Sequence, residues 1–338
     1  MANIWDVAKL AGVSKTTVSR VINKNGPVKE ETRIAVEDAM KKLNYTPSYF
    51  AQSIRTRKTK TIAMLVPDYS NVFYNEMYNG VEEVALKHGY MVMVCNTYKS
   101  STMEINYTKE LLKRQVDGII YNTYKKSIKN INYFFSLSET MPVVFMDHVF
   151  TQNSKVSYVV TEGFESSKKA VKYLYEKGCR RIAYIRVPPD ISVVNHRYEG
   201  YKEGILEYGL KFERELVYQC SSDQITLPLM EVGVNGAKYF MSLQNPPDAI
   251  MASIDTMAIG AIKYLKSAGY SVPGDVKVIG YDNIDLCTII EPALTTIAQP
   301  IHSLGSEAAK ILISKINGEK NIKDQIVFQP EFIIRDSA

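Results

Sequence analysis

Residues 4–21 carry a pattern that leaves little freedom. Val7 and Ala8 fall on one face of a first short helix. Gly12 follows Ala8 by four positions, where a turn needs the positive φ that glycine adopts cheaply. Val13 plugs the turn, and Val18 and Val21 give a second helix an apolar stripe at i, i+3. Ser14 stands where it caps that second helix. Ala8 lacks bulk, so the two helices can cross closely. A helix-turn-helix of this kind has one dominant use, the placement of its second helix in the major groove of DNA. A helical hairpin inside a larger core is the competing reading, and it leaves the basic surroundings unexplained.

Lys15, Thr16, Thr17, Ser19 and Arg20 project away from Val18 and Val21. Lys15 and Thr16 lie in the first turn, which normally reaches base edges. Arg20 follows one turn later, and its guanidinium suits a paired contact to guanine O6 and N7. Ser14, Thr17 and Asn23 are better placed for phosphates, which fix register rather than sequence. The bland alternative for Lys15 and Arg20 is a solvated basic face.

The charge distribution favours the DNA reading. Residues 1–60 hold twelve Lys and Arg against five Asp and Glu, whereas the remainder holds 29 against 31. This is a polyanion-binding head on a near-neutral body. At 338 residues and 46% apolar content the chain suits two or three globular domains. No run approaches the roughly 18 apolar residues of a membrane span, and no apolar leader opens the chain. Cys95, Cys179, Cys220 and Cys287 are widely spaced, as are His88, His148, His196 and His302. Together these features predict a cytoplasmic protein with reduced thiols, no metal, no cofactor and no membrane partner.

A third helix is predicted from about 30 to 43, carrying Val36, Met40 and Leu43. Asn44-Tyr45-Thr46-Pro47 ends it, closing a DNA-binding domain at 1–47. Residues 48–60 read as a hinge helix and linker. Phe50, Ala51 and Ile54 share one face there, and Arg55, Arg57, Lys58 and Lys60 supply charge. So short a segment is not a stable helix alone, and folding against DNA and a partner chain is expected. From residue 61 the pattern becomes β-α alternation. Strands are predicted at 61–66, 90–95, 118–121, 143–146, 158–160, 181–186, 248–252, 277–280 and 325–334. Helices are predicted at 73–88, 103–114, 163–177, 196–208, 233–243, 257–268 and 303–316. Continuous apolar strands between amphipathic helices argue parallel sheets covered on both faces. The body is large for one sheet, so two subdomains with a ligand cleft are expected.

The chain resembles the lactose/galactose-repressor (LacI/GalR) family over essentially its whole length. The motifs are Ile4 to Ser14, Thr17-Val18-Ser19-Arg20-Val21-Ile22-Asn23, Tyr45-Thr46-Pro47 and Ala51-Gln52-Ser53-Ile54. In the body they are Val66-Pro67-Asp68, Phe73-Tyr74, Val116 to Ile120, and Arg197 with Gly200-Tyr201. Asp255 with Met257-Ala258, Gly280-Tyr281-Asp282-Asn283 and Leu294 to Ile297 complete the set. The resemblance implies a helix-turn-helix head and hinge helix joined to a periplasmic-binding-protein-like α/β core of two parallel-sheet subdomains. Three crossovers are expected near Thr161, Glu291 and Glu319. The N-subdomain would then comprise about 61–160 and 292–319, and the C-subdomain about 161–291 and 320–338. The resemblance further implies a homodimer on a near-palindromic double-stranded operator, with Ile54 as the minor-groove wedge where the family usually has Leu. Effector positions carry over to Phe73, Asp147, Arg197 and Asp282. The aromatic ring suits a sugar face, the carboxylates accept hydroxyl protons, and the guanidinium offers a fork of donors. Helix capping by the two aspartates, core packing by Phe73 and surface salt-bridging by Arg197 are the competing roles.

A repressor of sugar-utilisation genes, controlled by a sugar or sugar phosphate, is the expected function. The alternative is a catabolite-control regulator whose corepressor is a serine-phosphorylated phosphocarrier protein. A transport binding protein would lack the head. Nucleotide-dependent enzymes are disfavoured because neither GxGxxG nor GxxxxGK[ST] is present, and no nucleophile–base arrangement is visible.

Overall fold

The computed structural model describes residues 2–23, 25–46, 58–122, 127–146, 155–187, 193–220 and 228–338. The chain divides into two compact units, Met1–Thr59 and Lys60–Ala338.

The first unit contains α1 (Ile4–Ala11), α2 (Lys15–Asn23) and α3 (Glu30–Lys42). Asn3 caps α1 by accepting from the Trp5 and Asp6 amides, and Asp6 reaches back to the Asn3 amide at 2.9 Å. Gly12 ends α1 at φ 66°, and Val13 N–H then donates to the Ala8 carbonyl at 3.0 Å. Val7, Ala8, Val18, Val36 and Ala39 form the centre of a small core, with Val13, Val21, Met40 and Leu43 packed around it. The residues predicted to hold the two short helices together therefore do so.

The second unit holds two six-stranded sheets. The first is built from β1 (Thr61–Val66), β2 (Met91–Asn96), β3 (Gly118–Asn122), β4 (Val143–Met146), β5 (Ser157–Thr161) and β11 (Gln325–Phe328), in the order β11-β5-β4-β3-β1-β2. All its pairings are parallel, for example Ile62 opposite Gly118. The second uses β6 (Ile182–Arg186), β7 (Val217–Gln219), β8 (Ala249–Ala252), β9 (Lys277–Asp282), β10 (Thr295–Ala298) and β12 (Glu331–Ile333), in the order β12-β10-β9-β8-β6-β7. Only β12 runs antiparallel there. Each sheet is therefore doubly wound with the same order, and its topological switch point lies between β1 and β3, or between β6 and β8.

Strand residues alternate between two buried faces. Ile62, Met64 and Val66 pack under α4 (Val72–Lys87) and α12 (Ile301–Ile316), while Ala63 and Leu65 face α5 (Ser101–Lys113) and α6 (Ile128–Ser138). In the second sheet, Ala183 and Ile185 face α9 (Leu229–Met241) and α10 (Asp255–Ser267). Ile182 and Tyr184 face α7 (Phe164–Glu176) and α8 (Val193–Glu207). A short α11 spans Leu286–Ile289.

Several sequence expectations are corrected. Helix α6, strand β7 and strand β10 fall where the sequence pattern predicts no element. The single strand expected over 325–334 is two strands in different sheets, separated by Gln329-Pro330. The first crossover follows β5, which ends at Thr161. The second follows β10 rather than lying near Glu291, because Thr295–Ala298 pairs with β9 in the second sheet. The third falls at 329–330 rather than near Glu319, because Gln325–Phe328 pairs with β5 in the first. Every crossover thus joins the carboxyl edge of one sheet to that of the other, and Ala298 lies opposite Glu331 beside two of them.

Candidate nucleic-acid interface and effector cleft

Within the head, α2 sorts its polar residues into two groups. Ser14 Oγ accepts the Thr17 amide at 3.1 Å and lies 2.9 Å from Thr17 Oγ1, so both hydroxyls serve the N-cap. Asn23 folds back on the Ser19 carbonyl and hydroxyl. Lys15, Thr16 and Arg20 are exposed along the helix. The Lys15 ammonium lies 4.8 Å from the ring centroid of Trp5, whose indole is itself exposed. Ile54 and Arg55 lie outside the described residues.

In the core, the predicted effector positions part company. Phe73 is buried in the first turn of α4, against the cluster containing Val66 and Met146, with Tyr74 edge-on at 5.3 Å. Its ring belongs to the N-subdomain core. Asp147 follows β4 and lies outside the described residues.

Arg197 and Asp282 come together. Arg197 leaves the first turns of α8, is 4% exposed, and donates from Nη1 to the Ser253 carbonyl at 2.6 Å and to Asp282 Oδ1 at 3.3 Å. Its guanidinium lies 3.6 Å from the centroid of the Tyr281 ring. Asp282 closes β9 and also accepts from Gln299 Nε2 at 2.6 Å. The backbone there sits at φ 121° for Asp282 and 61° for Asn283, a conformation L side chains rarely adopt. Such strain costs about 1–3 kcal/mol per residue and persists only where the surroundings fix it. Gln299 holds one residue of the pair, and Arg335 Nη2 holds Asn283 Oδ1 at 2.7 Å. Asp255 braces the same turn from inside. Its carboxylate accepts from Thr296 Oγ1 at 2.6 Å and from the Ile284 amide at 3.0 Å, and burial pushes its pKa up. Burial likewise raises the Tyr281 phenol, against the opposing pull of Arg197.

On the first sheet's carboxyl edge, Asn122 ends β3 fully buried, and among the described residues neither of its side-chain polar atoms has a hydrogen-bond partner. Thr161 Oγ1, at the end of β5, and Asn75 Oδ1, in the first turn of α4, are also buried and unmatched. An unmatched buried polar group costs about 1–3 kcal/mol, so three along one edge mark a place where polar partners are expected. Gln299, Ser253 and Asn122 stand outside the residues singled out in the sequence. Their only signal is a polar residue at or just past the end of an apolar strand, as in Gly118-Ile119-Ile120-Tyr121-Asn122.

Among the described residues no group of His, Cys, Asp and Glu forms a metal site, and no helix is long and apolar enough to cross a membrane.

Comparison with known proteins matches residues 3–48 to "Bacterial regulatory proteins, lacI family" and residues 171–338 to "Periplasmic binding protein-like domain". The chain is 34% identical to the HTH-type transcriptional repressor PurR of Mannheimia succiniciproducens, covering 100% of this chain and 99% of that protein. It is 35% identical to the ribose operon repressor of Halalkalibacterium halodurans, covering 94% and 91% respectively. A solved complex of the transcriptional regulator CelR with cellobiose superposes with a TM-score of 0.74 at 28% identity, covering all of both chains. With its helix-turn-helix head and its doubly wound, two-sheet core, the chain belongs to the LacI family of DNA-binding transcriptional regulators.

Proposed function

We propose that the protein is a repressor of sugar-utilisation genes whose grip on DNA is set by a small sugar or sugar derivative bound at the carboxyl edges of the two sheets. A homodimer places one head on each half of a near-palindromic operator. Lys15, Thr16 and Arg20 face base edges, and Ser14, Thr17 and Asn23 lie toward the phosphates. Ile54 and Arg55 act in the minor groove. Asp147, Arg197 and Asp282 contact the effector, with Phe73 packing behind it from the N-subdomain.

The observation that carries the effector reading is the buried Arg197–Asp282–Gln299 group at the strained end of β9. It offers donors and acceptors at a strand end where α/β sheets bind ligands. The unmatched Asn122 on the other sheet supports the same place. A ribose operon repressor and a regulator solved in complex with cellobiose, both among the similar proteins, favour a sugar. The burial of Phe73 favours a small ligand over a phosphocarrier docking on an exposed aromatic patch. An effector shifts DNA affinity only as far as it binds the two subdomain arrangements differently.

Operator binding followed by fluorescence anisotropy, with ribose, cellobiose and their phosphates added, tests this. Arg197→Ala is expected to bind operator within about threefold of wild type, less than 1 kcal/mol, yet lose the effector response. A response that survives Arg197→Ala overturns the assignment.

A further inference from the structure

Arg186 is the second of two arginines among the buried charged side chains, 6% exposed at the carboxyl end of β6. That end is one side of the switch point of the second sheet. The other side is Ser253, directly after β8, whose amide donates to the Ile185 carbonyl at 2.9 Å and whose carbonyl accepts from Arg197. Both guanidiniums therefore cluster at one strand end. Tyr184 lies within electrostatic reach of both, and each opposes the rise that burial imposes on its phenol.

The two arginines differ in what neutralises them. Arg197 has Asp282. Arg186 donates from Nε to its neighbour's carbonyl, Val187 O, at 3.3 Å and from Nη2 to Asn195 Oδ1 at 2.6 Å, and stacks on Tyr198 at 4.0 Å. All of these partners are uncharged. Among the described residues no carboxylate pairs with Arg186, and Nη1 donates to none of them. Guanidinium stays protonated at any working pH. A charge this deeply buried is normally paired, because neutral acceptors and one ring face do not return in full what desolvation costs.

We infer that Arg186 is an oxyanion receptor in the effector site, and that the effector carries a phosphate ester or a carboxylate which the free edge of this guanidinium binds. The inference rests on the cleft reading above and narrows its ligand class from sugars in general to anionic ones. The planar fork fits either oxyanion.

The test is thermal melting of the full-length protein at fixed ionic strength, with chloride replaced by inorganic phosphate or by acetate. The wild type is expected to melt about 2–4 °C higher in at least one of them, at a concentration roughly tenfold above Kd. Which anion acts tells a phosphate ester from a carboxylate. Arg186→Gln removes the rise, whereas Arg186→Lys, which keeps the charge, retains part of it. The basic head is identical in all three proteins, so only the difference between them counts. No rise in the wild type, or an equal rise in Arg186→Gln, overturns the inference. Should Arg186→Gln lose native helicity, Arg186→Lys decides, since loss of its rise overturns the inference and retention supports it. If Arg186→Gln leaves the rise untouched while Arg197→Ala abolishes the effector response, this assignment fails and the cleft reading stands. If neither variant changes anything, both fail.

Discussion

Arg20 occupies an exposed position one turn beyond Lys15 and Thr16 on α2. Arg20→Ala is expected to flatten base preference by about 1–3 kcal/mol at one operator position while leaving affinity for random duplex nearly unchanged. Anisotropy titrations against operators with single base changes check it, and a uniform loss across all sequences would reassign Arg20 to a phosphate. The cysteines supply a different test at this scale. All four are buried, and desolvation raises the Cys95 and Cys287 thiols and pushes Cys179 up to about 11. A raised thiol pKa leaves less thiolate at pH 8, and the thiolate is the nucleophile. Native protein is therefore expected to react with an aromatic disulfide reagent far more slowly than urea-unfolded protein, which should titrate all four at once. Rapid reaction of one native thiol would mean that its segment opens easily.

Helix pairs over the sheets touch at glycines, and this governs how closely the elements pack. A Cβ on Gly305 of α12 would lie 2.0 Å from the Met77 carbonyl oxygen of α4, and one on Gly80 would lie 2.1 Å from that of His302. Gly233 and Gly260 repeat the arrangement between α9 and α10. The clash is with backbone, so it cannot be relieved by a rotamer change. Gly305→Ala is expected to cost about 1–3 kcal/mol and to lower the melting temperature by roughly 2–4 °C per kcal/mol. Unchanged melting in a calorimeter would show that the two helices have room to separate. Elements built from continuous apolar runs, such as Thr61–Val66 and Ile182–Arg186, were legible because burial on both faces writes itself into composition. Helix α6 was not, since Ile128-Lys129-Asn130-Ile131-Asn132-Tyr133-Phe134-Phe135 is rich in strand formers and is helical through packing and its Ser127 cap. Strand β10 was hidden because Thr295 and Thr296 look exposed in sequence, yet both are fully buried, bonded to the Arg335 carbonyl and to Asp255. The effector group was half legible for the same reason. Arg197 and Asp282 stand in motifs, whereas Gln299, Ser253 and Arg186 gain meaning only once strand order brings their ends together.

Across the whole molecule, charge is divided as function would require. The head segment is strongly cationic, while the body carries slightly more acid than base and so repels a polyanion weakly if at all. Each phosphate neutralised by Lys or Arg releases condensed counterions, so affinity falls as a power of salt concentration. A dimer with two such heads and 6–10 phosphate contacts is expected to lose roughly 10³–10⁵ in operator affinity between 50 and 200 mM salt. An effector that acts through the body, as proposed, is expected to shift the intercept of the log Kd against log salt line while leaving its slope alone. That combination distinguishes control of head placement from competition for the DNA surface, because a ligand that displaced phosphates would reduce the slope as well. Titrations at four salt concentrations with and without effector decide between the two. Parallel lines support a sensor that rearranges the dimer. Lines that converge at high salt mean that the ligand and the duplex compete for the same basic residues, which would move the effector site out of the core and into the first sixty residues.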